Sequence, residues 1–145
     1  MKTTVKIFLI AILFALSTTT FAQEKGYKDG SVWNVSFIKV NSNMGDEYLK
    51  NLKGTWNAVH AEAVKQGLIL SYKVLNGAAS NPQDWDIMLM AEYKNLASME
   101  GTDEKWAAIY KKIIGDEAAE KKLSESRISM RTIFGEKMLR EVIYN

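Results

Sequence analysis

The chain of 145 residues contains no cysteine, one proline and one histidine. The absence of cysteine excludes disulfide bonds and a lipid-modified cysteine, and a single histidine leaves too few ligands for an ordinary zinc site. We therefore predict no metal site and no cofactor. A protein of this length without disulfides must be stabilised by packing, and its length suits one domain with its own core.

The first 22 residues have the layout of a secretory signal peptide. Lys2 and Lys6 flank the start of the segment, the apolar run Ile7–Leu16 follows, and small residues lead to Ala22. A helix as long as that run rises about 15 Å, roughly half of the hydrocarbon core, which disfavours a membrane anchor. We expect cleavage after about Ala22 and a secreted or periplasmic protein that does not insert into a membrane.

The charge balance argues against nucleic acid as a partner. The chain has 19 basic and 17 acidic residues, and loss of Lys2 and Lys6 with the leader would leave 17 of each. A neutral surface does not favour nucleic acid or an anionic membrane. Residues 23–30 are polar and contain glycine, and we interpret them as a flexible lead-in. Residues 31–145 are predicted to form a single domain.

Hydrophobic periodicity indicates an alternation of strands and helices. Four segments have the pattern of strands, namely Ser31–Val40, Leu68–Leu75, Trp85–Tyr93 and Lys137–Tyr144. The helices are predicted to be a long one from about Asn41–Asn43 to Gln66, closed by Gly67, a short one over Leu96–Glu100, one from Thr102 or Asp103 to Gly115, and an exposed one over Asp116–Ser126. The pattern of Arg127–Phe134 is ambiguous.

This order predicts an α+β protein of the ferredoxin-like type, βαββαβ, with a four-stranded antiparallel sheet and helices on one face. We assign Trp33, Val35 and Phe37 to the face of the first strand that the helices cover. The opposite face would then carry Ile38 and Val40, together with Met88 and Met90 of the third strand. An apolar second face favours a partner subunit over water, so a homodimer is expected.

The chain resembles the dimeric α/β-barrel superfamily, which includes the antibiotic-biosynthesis monooxygenase-like and EthD-like domains. The resemblance rests on the element order, on the long first helix with its central Trp56, and on the segments QGLILSYKVL (Gln66–Leu75) and YKNLASME (Tyr93–Glu100). It implies that two four-stranded sheets pair into a barrel, with helices outside and a ligand cavity in each subunit.

The resemblance does not extend to the haem-binding members of that superfamily. The haem-degrading branch uses an asparagine on the first strand and a histidine on the second major helix. Asn34 matches the first in type and approximate place, but the only histidine, His60, lies on the first helix. The same departure removes the proximal histidine that haem peroxidases of the superfamily use.

His60 has two interpretations. It follows Trp56 by one helical turn, so the two rings can touch, and it borders the apolar stripe that includes Val59 and Ala63. The first interpretation is a boundary residue that packs on Trp56 without chemistry. The alternative is a base or a ligand contact, although no second residue is placed beside it to orient it.

The candidate ligand-binding residues are polar or aromatic positions on strands and on the first helix. They are Asn34, Ser36, Trp56, His60, Tyr72, Asp86, Met88, Met90 and Arg140. An apolar pocket with a few polar anchors would suit a small apolar or aromatic ligand. The preferred function is an exported small-molecule-binding barrel. The alternatives are a cofactor-independent oxygenase-like enzyme acting on an aromatic or polyketide-like substrate, with His60, Asp86 or Glu92 as base, and a structural or interaction module.

Overall fold

A computed structural model of the protein describes residues 26–145, and the predicted leader lies outside the described residues. The chain forms β1 (Tyr27–Val40), α1 (Gly45–Gly54), α2 (Trp56–Lys65), β2 (Ser71–Asn76), β3 (Ile87–Tyr93), a short 3-10 helix (Leu96–Met99), α3 (Asp103–Ile113), α4 (Glu117–Ile128) and β4 (Arg131–Tyr144). Residues 29–143 form one compact unit. Among the remaining described residues, the Asn145 N–H donates to the Gly26 carbonyl oxygen at 3.2 Å.

The four strands form one antiparallel sheet in the order β2-β3-β1-β4. β3 lies between β2 and β1 and is antiparallel to both. The direction of β4 follows from two side-chain contacts, in which Ser31 donates to Glu141 at 3.2 Å and Ser36 donates to Glu136 at 3.1 Å. Later residues of β1 meet earlier residues of β4, so this pair is antiparallel too. The predicted ferredoxin-like α+β fold is confirmed.

The core lies between the helices and one face of the sheet, in two apolar clusters. One contains Val32, Val59, Ala63, Leu68, Ile69, Ala91, Tyr93 and Ile109, and the other contains Ile38, Tyr48, Leu52, Ile87, Leu89 and Met130. On β3 the buried residues alternate with half-buried ones, so Ile87, Leu89, Ala91 and Tyr93 face the helices. The two faces predicted for this strand are confirmed.

The prediction for the faces of β1 is wrong. Directly opposed residues share a face of a sheet, and Ile38 is opposite the core residue Ile87, whereas Phe37 is opposite Met88. The helix side of β1 therefore carries Asn34, Ser36 and Ile38, and the open side carries Trp33, Val35 and Phe37. Alternation defines two faces without saying which one the helices cover, and the larger apolar side chains of β1 lie on the open one.

The first helical segment is divided in two, whereas one long helix was predicted. Thr55, with φ −123° and ψ −92°, separates α1 from α2. Its hydroxyl donates to the Asn51 carbonyl oxygen at 2.6 Å and accepts a hydrogen bond from the Arg127 guanidinium. The apolar spacing continues across Thr55, which explains why the sequence pattern did not reveal the break. Gly67 ends α2 at φ +69°, as the sequence predicted.

The ambiguous segment Arg127–Phe134 is shared between two elements. α4 continues to Ile128 and β4 begins at Arg131, earlier than predicted. Strand alternation changes phase further along β4, because Ile133 and Glu136 line the same cavity although they are three positions apart. Gly135 lies within this change of phase. β1 likewise begins at Tyr27, inside the segment that was predicted to be a flexible lead-in.

Candidate functional site

A cavity of about 450 Å³ lies between the sheet and the helix layer. The strands contribute Asn34, Ser36, Ile38, Leu89, Tyr93, Arg131, Ile133 and Glu136, and the helices contribute Trp56, His60, Asp103, Trp106 and Tyr110. The volume falls within the range of small-molecule sites, and the lining combines aromatic walls with a few polar groups. Four of the predicted candidates, Asn34, Ser36, Trp56 and His60, line it together.

Helical spacing explains how the aromatic walls are formed. Trp56 and His60 are four residues apart on α2, and Trp106 and Tyr110 are four residues apart on α3. Residues at this spacing project from the same face of a helix. The His60 and Trp106 ring centroids are 5.7 Å apart, so the two helices bring their aromatic faces into contact.

His60 stacks on Trp56 with ring centroids 3.8 Å apart and an angle of 24° between the planes, which confirms the predicted contact. The prediction that His60 lies at the boundary of the core is wrong, because the residue is only 7% exposed. Trp106 from α3 and Tyr72 from β2 lie beside the ring, with centroids at 5.7 and 6.0 Å. These covering side chains come from elements distant in sequence, so helix periodicity alone could not predict them.

The hydrogen bond of His60 defines its chemical state. The Nδ1 atom lies 2.7 Å from the Trp56 carbonyl oxygen. Because a carbonyl only accepts, Nδ1 carries the proton and Nε2 is the acceptor nitrogen. Burial lowers the pKa of His60 to about 4, against the smaller opposing effect of the Trp56 hydrogen bond. The imidazole is therefore neutral at pH 7, and it presents a hydrogen-bond acceptor rather than a positive charge.

The polar groups of the cavity on the sheet side come from β1 and β4. Asn34 and Ser36 are on the helix side of β1, and the Ser36 hydroxyl donates to the Glu136 carboxylate at 3.1 Å. Asp103 begins α3 at the same cavity, and both acids are exposed. The cavity thus offers an amide, a hydroxyl and two carboxylates beside its aromatic walls.

Arg131 is one of the cavity residues that the sequence analysis did not identify as candidates. It begins β4, lines the cavity, and lies with its guanidinium carbon 5.7 Å from the Tyr48 ring centroid. Its Nε is buried and finds no acceptor among the described residues, and the same holds for the hydroxyl of Tyr48. Burial raises the pKa of Tyr48, and the nearby Arg131 and Arg127 oppose that shift. An arginine in the one segment of ambiguous pattern was the available signal.

The remaining candidates lie elsewhere. Tyr72 contacts Trp56 edge-on at 5.8 Å, so it supports a wall of the cavity from behind. Met88 and Met90 are on the open face of the sheet, opposite Phe37 and Val35. Arg140 is exposed and pairs with Asp29 at 2.9 Å.

Asp86 stabilises the end of β1 and does not line the main cavity. Its carboxylate accepts the Val40 N–H at 2.8 Å and lies 3.9 Å from the Lys39 ammonium. It lines a separate cavity of about 420 Å³, which is walled largely by the polar turn after β1 and by Asn76 and Gly77. This placement separates Asp86 from His60 and from the aromatic walls.

Two further kinds of site are not found within residues 26–145. No group of three or more histidine, aspartate or glutamate residues is arranged to hold a metal ion there. In the same part of the chain, no helix is both long enough and apolar enough to cross a membrane.

The chain is a ferredoxin-like α+β domain whose cavity lies between its sheet and its helices. No protein-family model and no curated protein matches it. Among solved structures it is similar to a dimeric ferredoxin-like protein from an uncultured marine organism, with 17% identity, a TM-score of 0.49, and coverage of 80% of this chain and 90% of that chain. It is also similar to a dimeric protein of unknown function and ferredoxin-like fold from Bacteroides fragilis, with 19% identity, a TM-score of 0.41, and coverage of 81% and 96%.

Proposed function

We propose that the protein binds a small aromatic molecule in the cavity between its sheet and its helices. The observation that carries this proposal is the aromatic wall formed by Trp56, His60, Trp106 and Tyr110 around about 450 Å³ of space. Flat rings recognise flat ligands by stacking and by edge-to-face contact. The amide of Asn34 would supply a donor, and the Nε2 of His60 would supply an acceptor, as would the hydroxyl oxygen of Ser36, whose proton is donated to Glu136.

The same geometry argues against the two alternative functions. An oxygenase-like reaction needs a base with a pKa near the working pH, and a histidine whose pKa is about 4 is a weak base. Asp86 lines a different cavity. Glu92 is opposite Trp33, on the open face of the sheet, where it accepts a hydrogen bond from Ser71 at 2.5 Å. A purely structural module would have no use for a cavity with polar anchors. Ligand binding is therefore the function that the site supports best.

The proposed setting is an exported homodimer. The layout of residues 1–22 supports export to the periplasm or the exterior. The open face of the sheet supports dimerisation, because it carries the half-buried side chains of Trp33 and Phe37 alongside Met88 and Met90. None of these side chains belongs to either core cluster of residues 26–145. A second copy that meets this face would remove an apolar strip from water.

Tryptophan fluorescence offers a direct test of binding. We expect 2-naphthamide, a neutral planar probe, to quench the emission of Trp56 and Trp106 saturably. The cavity-filling variant Ser36→Phe should abolish this response, whereas Ser80→Phe, on an exposed loop, should keep it. Native mass spectrometry of protein purified from its own host should detect a retained small aromatic molecule. Binding of the probe that is unchanged in Ser36→Phe would refute the proposed site.

A further inference from the structure

We infer that the ligand of this cavity is an aromatic acid, whose anionic group is bound by Arg131. The inference rests on the proposed function and adds the chemical class of the ligand. It comes from two positive charges, Arg127 and Arg131, near the start of β4. The aromatic walls of the cavity give no reason for these charges.

Two arginines without a carboxylate partner carry this inference. Arg127 donates to the side-chain oxygen of Asn51 at 3.0 Å and to the hydroxyl of Thr55, both of which are neutral. Within residues 26–145, the recorded ion pairs involve Lys39, Lys112 and Arg140, and neither Arg127 nor Arg131 takes part in one. Burial lowers the pKa of Arg127, with a smaller contribution in the same direction from the charge of Arg131 and opposing ones from Tyr48 and Tyr110. Two half-buried guanidinium groups therefore remain charged without a counterion from the described protein.

The position of Arg131 makes it the group that a ligand would meet. It lines the main cavity and also a smaller one of about 170 Å³ between α3 and α4, which Arg127 lines as well. The buried Nε of Arg131 is a donor without an acceptor among the described residues. The buried hydroxyl of Tyr48 is another, but Tyr48 lines neither cavity, so Arg131 is the donor that a ligand could use. A carboxylate or phenolate is an acceptor with several lone pairs, and it would also neutralise part of the charge.

The acids of the cavity do not cancel this preference. Asp103 and Glu136 are both exposed, so water screens their charges, and Glu136 already accepts a hydrogen bond from Ser36. Glu120 lines the smaller cavity but is exposed, and it is not within ion-pair distance of either arginine. The neutral His60 adds no negative charge. The least screened charge that borders the main cavity is thus that of Arg131.

A matched pair of probes tests the class of ligand separately from binding itself. The probes are 2-naphthoate and 2-naphthamide, which share a ring system and differ in charge, and titration calorimetry at pH 7 measures both. We expect the unmodified protein to bind 2-naphthoate about tenfold or more tightly than the amide, as a charge-assisted pair with arginine should. The preference should weaken at high salt.

Variants then assign the preference to Arg131. Arg131→Gln should bring the two affinities to within about twofold while leaving binding of the amide in place. Arg140→Gln, an exposed arginine on the same strand, should keep the preference of the unmodified protein. Equal affinities in the unmodified protein would overturn the inference and leave aromatic binding intact, and this comparison does not depend on whether a variant folds. Binding of neither probe would overturn the proposed function as well.

Discussion

The single histidine of the chain is a buried, neutral ring that stacks on Trp56, and its surroundings predict how stability depends on pH. Burial lowers its pKa to about 4 in the folded protein. In the unfolded chain an imidazole titrates near 6.5, so between these two values the unfolded state binds a proton that the folded state does not. Stability is therefore complete above about pH 6.5 and falls as the pH falls toward 4, by up to about 3 kcal/mol.

Replacement of His60 by glutamine should remove this pH dependence. Denaturant unfolding at pH 7 and at pH 4.5 should show that the unmodified protein loses about 2 kcal/mol more than His60→Gln over that interval. The carboxyls of Glu62 and Asp84, whose pKa values are lowered by hydrogen bonds, titrate in both proteins and cancel in the comparison. An equal loss in the two proteins would mean that the imidazole is protonated in the folded state.

Sequence reasoning at the residue scale succeeded where partners are close along the chain. It predicted the contact of His60 with Trp56, since four residues on a helix set that geometry. It could not predict the depth of burial, because Tyr72 and Trp106 cover His60 from other elements. Arg131 was missed for the same reason, as its site is formed by Tyr48 of α1 and Arg127 of α4.

At the scale of elements, periodicity identified the strands and helices but not their orientation. The strands of β1 and β3 alternate clearly, yet both faces of β1 carry apolar residues, so the pattern alone could not show which face is buried. The register decides, because Ile38 is opposite Ile87 and Phe37 is opposite Met88. Because the faces of β1 are the opposite of those predicted, Asn34 and Ser36 lie on the side of the cavity and not on the open face.

Two glycines at helix ends give a stability test at this scale, because only one of them has a backbone conformation that requires glycine. Gly67 ends α2 at φ +69°, where an alanine would be strained, and Gly54 is in the last turn of α1 with no atom within 4 Å of an added Cβ. Gly67→Ala should lower the free energy of unfolding by about 1 kcal/mol, and Gly54→Ala should raise it by about 0.5 kcal/mol. Thermal and denaturant melts measure both. Stabilisation by Gly67→Ala would contradict its role as the helix terminator.

For the whole molecule, export is a prediction that the sequence alone supports. Intact-mass measurement on protein from its own host should show a chain that begins at Gln23, because the small residues before it suit signal peptidase. Ala22→Arg should block this cleavage and leave a heavier precursor. Recovery of the unmodified protein from the cytosol with Met1 retained would contradict the prediction.

Assembly is the second prediction at this scale, and it concerns the open face of the sheet. Val35 on this face is fully buried, whereas Trp33, Phe37 and Met90 around it are only half-buried. The ammonium groups of Lys73 and Lys137 lie 5.2 and 5.9 Å from the Trp33 and Phe37 ring centroids. Long lysine side chains of this kind shield an apolar surface only in part, so a second copy should pack against it.

A charge in the centre of this face should separate the subunits. Met90→Asp would place a carboxylate in the proposed interface, and an unpaired buried charge costs several kcal/mol, enough to raise the dissociation constant about 100-fold or more. The control is Ile128→Asp, which makes the same kind of change at the end of α4, where the side chain is 73% exposed. Light scattering and sedimentation over a range of concentrations should find a dimer for the unmodified protein and the control, and a monomer for Met90→Asp. If the unmodified protein is a stable monomer, the open face has another role and the proposed assembly is wrong.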